Sequence, residues 1–401
     1  YLEIIFVRPE QALPLLIAVV MWLGLASIGT LVTNKDRLTE ANVFYGWAVV
    51  STFFTVAGTL VRGPFLFIFF IGVAAALLGI YLAFKRGQDL FVPGFWRIII
   101  LAFPLFWIAG AMDPSQWDEF SHWLPASKYL LTFNGFPNVE KPHDGAYMFS
   151  AYPYGWPLLH YLSGRIAGGL ISNMGGALNL LLLFTFTTFL LRSAYQIAGR
   201  PMRPVISWGF AAATILCATI FNPTFIQKII LTAYSDVSTA VTVGAVLLTS
   251  YHYLESLAGR RSASSWSGAW QLALLFSLLI NLRQTNVVLC VILIVSVSVI
   301  TLLDNKIRLA NYLKQLPLII LPALVVYLAW RFYVTNELAA VTGIEASLRP
   351  FALWNIAEIP LILKQMLVVA FKEIAFFGSM TIAIYFAMGM FFDSGSKFLL
   401  L

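Results

Sequence analysis

Acidic, histidine and aromatic side chains crowd into one stretch of this sequence, residues 112–160. It holds Asp113, Asp118, Glu119, Glu140 and Asp144 out of 18 acids, and His122, His143 and His160 out of 4 histidines. The chain around it is apolar, and anchoring in lipid does not call for such a concentration of titratable groups. A carboxylate just above a helix end, in lipid-shielded surroundings, can take the proton of a hydroxyl as that oxygen attacks an activated carbon. Asp118 and Glu119 are the pair suited to that work. One of them can equally cap the helix that follows, because an acid at a helix N-terminus meets exposed amides and a favourable dipole. The two roles are compatible, one acid for each.

Other groups fall where they can serve the same chemistry. Tyr152-Pro153-Tyr154-Gly155-Trp156-Pro157 closes the stretch. Its prolines stiffen the backbone, and Tyr152 and Tyr154 offer faces on which a sugar ring or prenyl chain can stack; the rival reading is an interfacial aromatic belt. Asp236, after Tyr234-Ser235, is either a helix N-cap worth about 1 kcal/mol or a group that orients an acceptor or assists Asp118. Asn281-Leu282-Arg283-Gln284-Thr285-Asn286 interrupts an apolar run of about 35 residues, where one span needs roughly 20, and so must be a turn. Arg283 in that turn can grip a phosphate with a fork of donors, or reach a lipid headgroup. Lys228 and Arg331 fall at the same predicted depth, so three cations can surround one anion. The histidines and their neighbouring acids allow a divalent metal, but no ligand spacing such as His-Glu-x-x-His occurs, so ordinary interfacial histidines are favoured and no cofactor is assigned. Walker loops, Gly-x-Gly-x-x-Gly and Gly-x-Ser-x-Gly are absent, which leaves nucleotide-powered transport without support.

Membrane helices must hold these groups. With 60% hydrophobic and 11% charged residues and a mean hydropathy of +0.84, the 401 residues cannot cover a water-soluble globule. Apolar runs recur at the length that crosses a hydrocarbon core of about 30 Å as helix, so the expected fold is an all-α polytopic membrane protein. Eleven spans are expected, at 11–33, 42–60, 64–84, 96–111, 173–196, 204–221, 237–256, 268–282, 285–303, 316–335 and 373–392. Basic loops at Lys35/Arg37, Lys85/Arg86/Arg97, Arg192/Arg200/Arg203, Arg260/Arg261 and Lys306/Arg308/Lys314 fall on one side if residues 155–170 do not span. That side is read as cytoplasmic. Residues 155–170 are then a short helix in the outer interface, and 112–172, 222–236, 281–286 and 336–372 share the extracytoplasmic face. A short amphipathic helix entered at Asp118 and an interfacial helix near 354–366 are expected there. The net charge of +7 fits cytoplasmic helix ends and anionic lipid and needs no nucleic acid. Cys217 and Cys290 lie in apolar runs and indicate neither a disulfide nor a metal site. The chain starts at Tyr1, and further sequence beyond both ends is expected.

The order of these features resembles the GT-C superfamily of integral-membrane glycosyltransferases, which use polyprenyl- or dolichyl-phosphate sugars. Members carry an acidic motif in the first large outer loop, here Asp118-Glu119 with His122-Trp123 and Lys128 behind it. A Tyr-Pro-Pro-Gly-like turn often closes that loop, similar to Tyr152–Pro157, although Tyr154 replaces the second proline. Tyr234-Ser235-Asp236 resembles a Tyr-Ala-Asp-like element, and Arg283-Gln284-Thr285-Asn286 is similar to a tetrad of the dolichol-pathway terminal glucosyltransferases. The resemblance covers residues 96–335. It implies N-terminal helices over 1–95, a catalytic module over 96–335 and an outer interfacial helix with a last span over 336–401. Three spans precede the one entering the acidic loop, where many members have a single one. What it implies further is an inverting transfer from a lipid-phosphate sugar to an extracytoplasmic glycan or glycolipid acceptor. Asp118 would be the base, Glu119 its understudy, and Arg283 the contact to the donor phosphate, with Gln284 beside it. The setting would be a bacterial inner or plasma membrane. A secondary transporter or flippase is the alternative, since broken spans suit that class too. A polymerase or ligase of surface polysaccharide would place its large loop and arginines later in the chain.

Overall fold

In a computed structural model of the chain, residues 12–33, 36–143, 151–199, 204–222, 225–338 and 355–372 are described. Helices α1 (Ala12–Val32), α2 (Asn42–Val56), α3 (Phe65–Lys85) and α4 (Trp96–Ala111) lead to the polar stretch, which holds α5 (Leu124–Phe133) and α6 (Gly155–Ala167). Then follow α7 (Met174–Ile197), α8 (Trp208–Ala218), the short α9 (Gln227–Ile230), α10 (Asp236–Leu257), α11 (Ser265–Leu282), α12 (Asn286–Leu303), α13 (Leu309–Tyr333) and α14 (Ile359–Lys372). There is no strand among the described residues.

Eight of these helices are long and apolar enough to cross a membrane: α1, α2 with its flanking turns, α3, α7, α10, α11, α12, and α13 with the wide turn that extends it to Leu338. Helices α4 and α8 are apolar but shorter. Together these occupy ten of the eleven expected spans; the eleventh, 373–392, lies outside the described residues. A helix is the natural form for such segments because it satisfies its own amides and carbonyls where no water can. Many hydroxyls inside them behave likewise, donating to a carbonyl one turn back, as Thr30 does to Ala26 (2.9 Å), Thr187 to Leu183 (2.8 Å) and Thr242 to Ser238 (2.7 Å).

Burial sorts the helices into an inner and an outer set. The apolar window of α7 is 83% buried and that of α3 only 17%, and α3 presents Phe67, Phe70 and Leu77 outward as a lipid-facing surface would. Polar side chains tie the inner set together. The Gln271 carbonyl of α11 accepts from the Tyr45 hydroxyl (2.7 Å) and the Leu38 amide (3.0 Å), and Asn42 donates to Thr30 and to the Leu90 carbonyl. Antiparallel packing gives the bundle two distinct ends. One gathers Arg37, Arg97, Arg192, Arg260 and Asp304, with Arg192 paired to Glu40 and Arg260 to Asp304. The other gathers the polar stretch, the start of α10 and the break between α11 and α12.

Helix α6 is short, and every residue from Gly155 to Gly164 is buried against the rest of the protein. Its first turn explains this: the Trp47 indole donates to the Gly155 carbonyl (3.0 Å), and Trp156 packs on Trp47 with ring centroids 6.1 Å apart. A helix, α14, overlaps the stretch near 354–366 where an interfacial one is expected, and its described side chains are exposed.

Candidate functional site

Glu119 and Asp118 are neighbours with opposite fates. The chain leaves α4 at Ala111 and enters a wide π-type turn at Glu119–Trp123 that runs on into α5. One Glu119 carboxylate oxygen accepts the amides of Ser115 (2.8 Å) and Gln116 (2.9 Å), the other the amide of Ala233 (2.7 Å), and the side chain is buried. Bonds to a charged acceptor are the strong ones, so this acid fastens the entry to the polar stretch onto the segment before α10. Asp118 is half-buried, and its backbone amide donates to the Tyr234 hydroxyl (3.3 Å). Its carboxylate has no hydrogen bond or ion pair among the described residues.

The segment 231–235 that receives Glu119 is clamped from two more sides. Asn179 of α7 donates to the carbonyls of Thr232 (3.0 Å) and Tyr234 (3.1 Å), and the Trp156 indole donates to that of Ala233 (2.6 Å). Such closeness depends on Gly175, since a Cβ there would lie 2.4 Å from the Ala233 Cα. Gly155 plays the same part against α11, where a Cβ would meet the Asn281 carbonyl oxygen at 2.5 Å.

Arg283 sits in the break after α11. Its Nε donates to the Ser235 hydroxyl and an Nη to the Asp236 carboxylate, both at 3.0 Å, and the guanidinium lies 5.7 Å from the centroid of the Trp123 ring. Two of five donors are thereby used, and the side chain keeps 31% of its exposure, so it can still receive an anion. Gln284 donates to the Ala151 carbonyl, as does the Trp330 indole of α13 (3.0 Å), which holds the Tyr152 strand of chain against the break. His122 packs on Trp123 (4.4 Å) and edge-on to Tyr152 (5.9 Å), and its Nδ1 is 3.0 Å from the Ser121 hydroxyl. Burial pulls its pKa down to about 4, with Asp118 and Asp236 opposing and Arg283 assisting, so the ring is neutral near pH 7. The Trp123 indole N–H is buried with no acceptor among the described residues.

The structure therefore joins Asp118, His122, Trp123, Tyr152, Asp236, Arg283 and Gln284 from four separate stretches of chain. Other expected site residues differ in their surroundings. Glu119, expected as a reserve base, is buried with its oxygens accepting three amides. Tyr154 does not offer a stacking face, because its ring is enclosed by Phe136 (5.0 Å) and Trp330 (5.5 Å) and is 1% exposed. Lys128 is exposed on α5, and Lys228 is exposed on α9 next to Gln227, which bonds to Met112. Arg331 is half-buried at the end of α13. The expected ring of three cations thus has Arg283 as the member fixed at the break. Asp236 begins α10, and its carboxylate goes to Arg283, while no side-chain bond caps the helix at Ser235. Among the described residues no three His, Cys, Asp or Glu side chains converge as a metal site requires; Asp144 lies outside them.

Sequence reading passed over Asn179 and named Tyr234 and Trp156 only within their motifs; all three position the cluster. Asn179 carried a usable signal, since a lone amide inside an apolar span is costly unless it has a task. Comparisons with protein-family models, with curated proteins and with solved structures found no match to this chain.

Proposed function

We propose that this chain is a membrane glycosyltransferase of GT-C type that moves a sugar from a polyprenyl-phosphate donor to an extracytoplasmic glycan or glycolipid acceptor. The observation that carries the reading is the division of labour between the paired acids. Glu119 is spent on three backbone amides, while the Asp118 carboxylate is unbonded and stands with an arginine that retains free donors. A base and a phosphate-binding cation are the two groups that a single displacement from a lipid-phosphate sugar needs. Asp118 accepts the acceptor's hydroxyl proton as that oxygen bonds to the anomeric carbon. The carbon–oxygen bond to the lipid phosphate breaks, and the phosphate leaves with the electron pair, its charge offset by Arg283. One displacement inverts the anomeric centre. Tyr152 and His122 form the wall against which the sugar ring rests. The distribution of Lys and Arg sets this face outside, and the eleven-span reading, with 373–392 as the last span, is part of the same proposal.

The test is incubation of purified protein with a panel of polyprenyl-phosphate sugars and acceptor lipids. Release of polyprenyl phosphate with formation of an inverted glycoside is the expected result. No consumption or binding of any donor would remove the reading, and solute flux in liposomes would then be measured.

A further inference from the structure

A second polar cavity, of about 310 Å³, lies at the opposite, basic end of the bundle. Pockets for small molecules start at roughly 300 Å³. Spanning helices separate this one from Asp118 by about 30 Å, at 1.5 Å of rise per residue. Three guanidiniums line it: Arg37 before α2, Arg192 of α7 and Arg261 beyond the end of α10. Against them stand two lining carboxylates, Glu40 and Asp89. Glu40 is paired with Arg192, and Arg37 donates to the main-chain carbonyl of Asp89 (2.9 Å), whose charge also favours the guanidinium. Arg261 makes no side-chain hydrogen bond or ion pair among the described residues. At the buried wall the Ser193 hydroxyl and His252 Nε2 meet at 3.0 Å.

Basic residues at this end serve membrane orientation and meet the negative ends of helix dipoles, and both uses leave a guanidinium reaching outward. Neither use requires three arginines to line one cavity against two acids. A bound anion suits such a lining, and forked guanidiniums match phosphate oxygens in pairs. We propose that this cavity binds a phosphate monoester group, with Arg261 as the donor held open for it. The group can arrive as the headgroup of an anionic lipid in the basic-end leaflet or as a soluble phosphate. The site is independent of the chemistry assigned to Asp118.

The test uses the whole purified protein. One arm titrates inorganic phosphate against chloride at equal ionic strength and follows the melting midpoint. The other compares nanodiscs of phosphatidylcholine alone with nanodiscs that also contain phosphatidic acid. Saturable stabilisation in one arm is expected and identifies the source. Arg261→Gln should weaken it at least tenfold, and Arg261→Lys, which keeps the charge but loses the fork, by less. Both variants should melt as wild type without phosphate, because Arg261 gives up no contact. Stabilisation by neither probe, or the same stabilisation in Arg261→Gln, overturns the proposal.

Discussion

Replacing Glu119 by Gln separates a brace from a base. The carboxylate accepts amides at 2.8, 2.9 and 2.7 Å from Ser115, Gln116 and Ala233. Each bond to a charged acceptor contributes about 1.5–3 kcal/mol. Glutamine keeps the volume but turns one oxygen into an NH2 group. With its oxygen toward Ser115 and Gln116 it points a donor at the Ala233 amide; reversed, it loses two bonds instead of one. The cheaper arrangement loses one charged bond and weakens two, about 2–4 kcal/mol in all. Hydrogen exchange followed by mass spectrometry reads this locally. At about 1.4 kcal/mol per tenfold, exchange of these amides should quicken roughly 30-fold to several-hundred-fold if it proceeds by local opening. Asp118→Asn, which breaks no bond, should leave both segments protected. Unchanged protection over 113–120 and 230–236 in Glu119→Gln, or loss of it in Asp118→Asn, would refute the assignment of brace and base.

Three further outcomes follow from the same geometry. Asn179→Ala strips the donors from a buried carbonyl at Thr232 and a half-buried one at Tyr234 and should cost about 2–4 kcal/mol, seen as a lower melting midpoint; an unchanged midpoint would mean the clamp is idle. Arg283→Lys keeps the charge but cannot reach Ser235 and Asp236 as a fork while holding a phosphate, so kcat/KM for the donor should fall about ten- to a hundred-fold, and an unchanged value would remove Arg283 from the site. His122 and His160 are both held to about 4 against an ordinary 6.5, mainly by burial. Between those values the unfolded chain binds protons that the folded one refuses, so stability is full above pH 6.5 and falls as pH drops toward 4, by at most about 3 kcal/mol for each histidine. His160, whose ring nitrogens are buried without partners among the described residues, gives the cleaner variant: His160→Leu should flatten the pH dependence of melting, and an equally steep profile would contradict its burial as the neutral form.

The spans were legible because hydrophobic length is a one-dimensional signal that lipid enforces. The break at Asn281–Asn286 and the helix behind Asp118 were legible for the same reason, as polar interruptions of known reach. What could not be read was which side of a turn each residue faces. Asp118 and Glu119 are adjacent, and the wide turn beginning at Glu119 sends one carboxylate toward three amides and leaves the other without a bond. Tyr152 and Tyr154 share a motif, yet Phe136 and Trp330, far away in sequence, enclose only the second. Helix α6 has the length of an interfacial helix, but Trp47 and the Ala233 carbonyl draw Trp156 inward.

The central claim is that Asp118 takes the proton when the sugar is transferred. Single-turnover transfer from a bound polyprenyl-phosphate sugar, compared between wild type and Asp118→Asn, tests it most directly. General-base catalysis contributes about 10²- to 10⁴-fold, so the variant should bind donor and melt as wild type while transfer falls by that factor. Transfer at the wild-type rate by the folded variant would contradict the account.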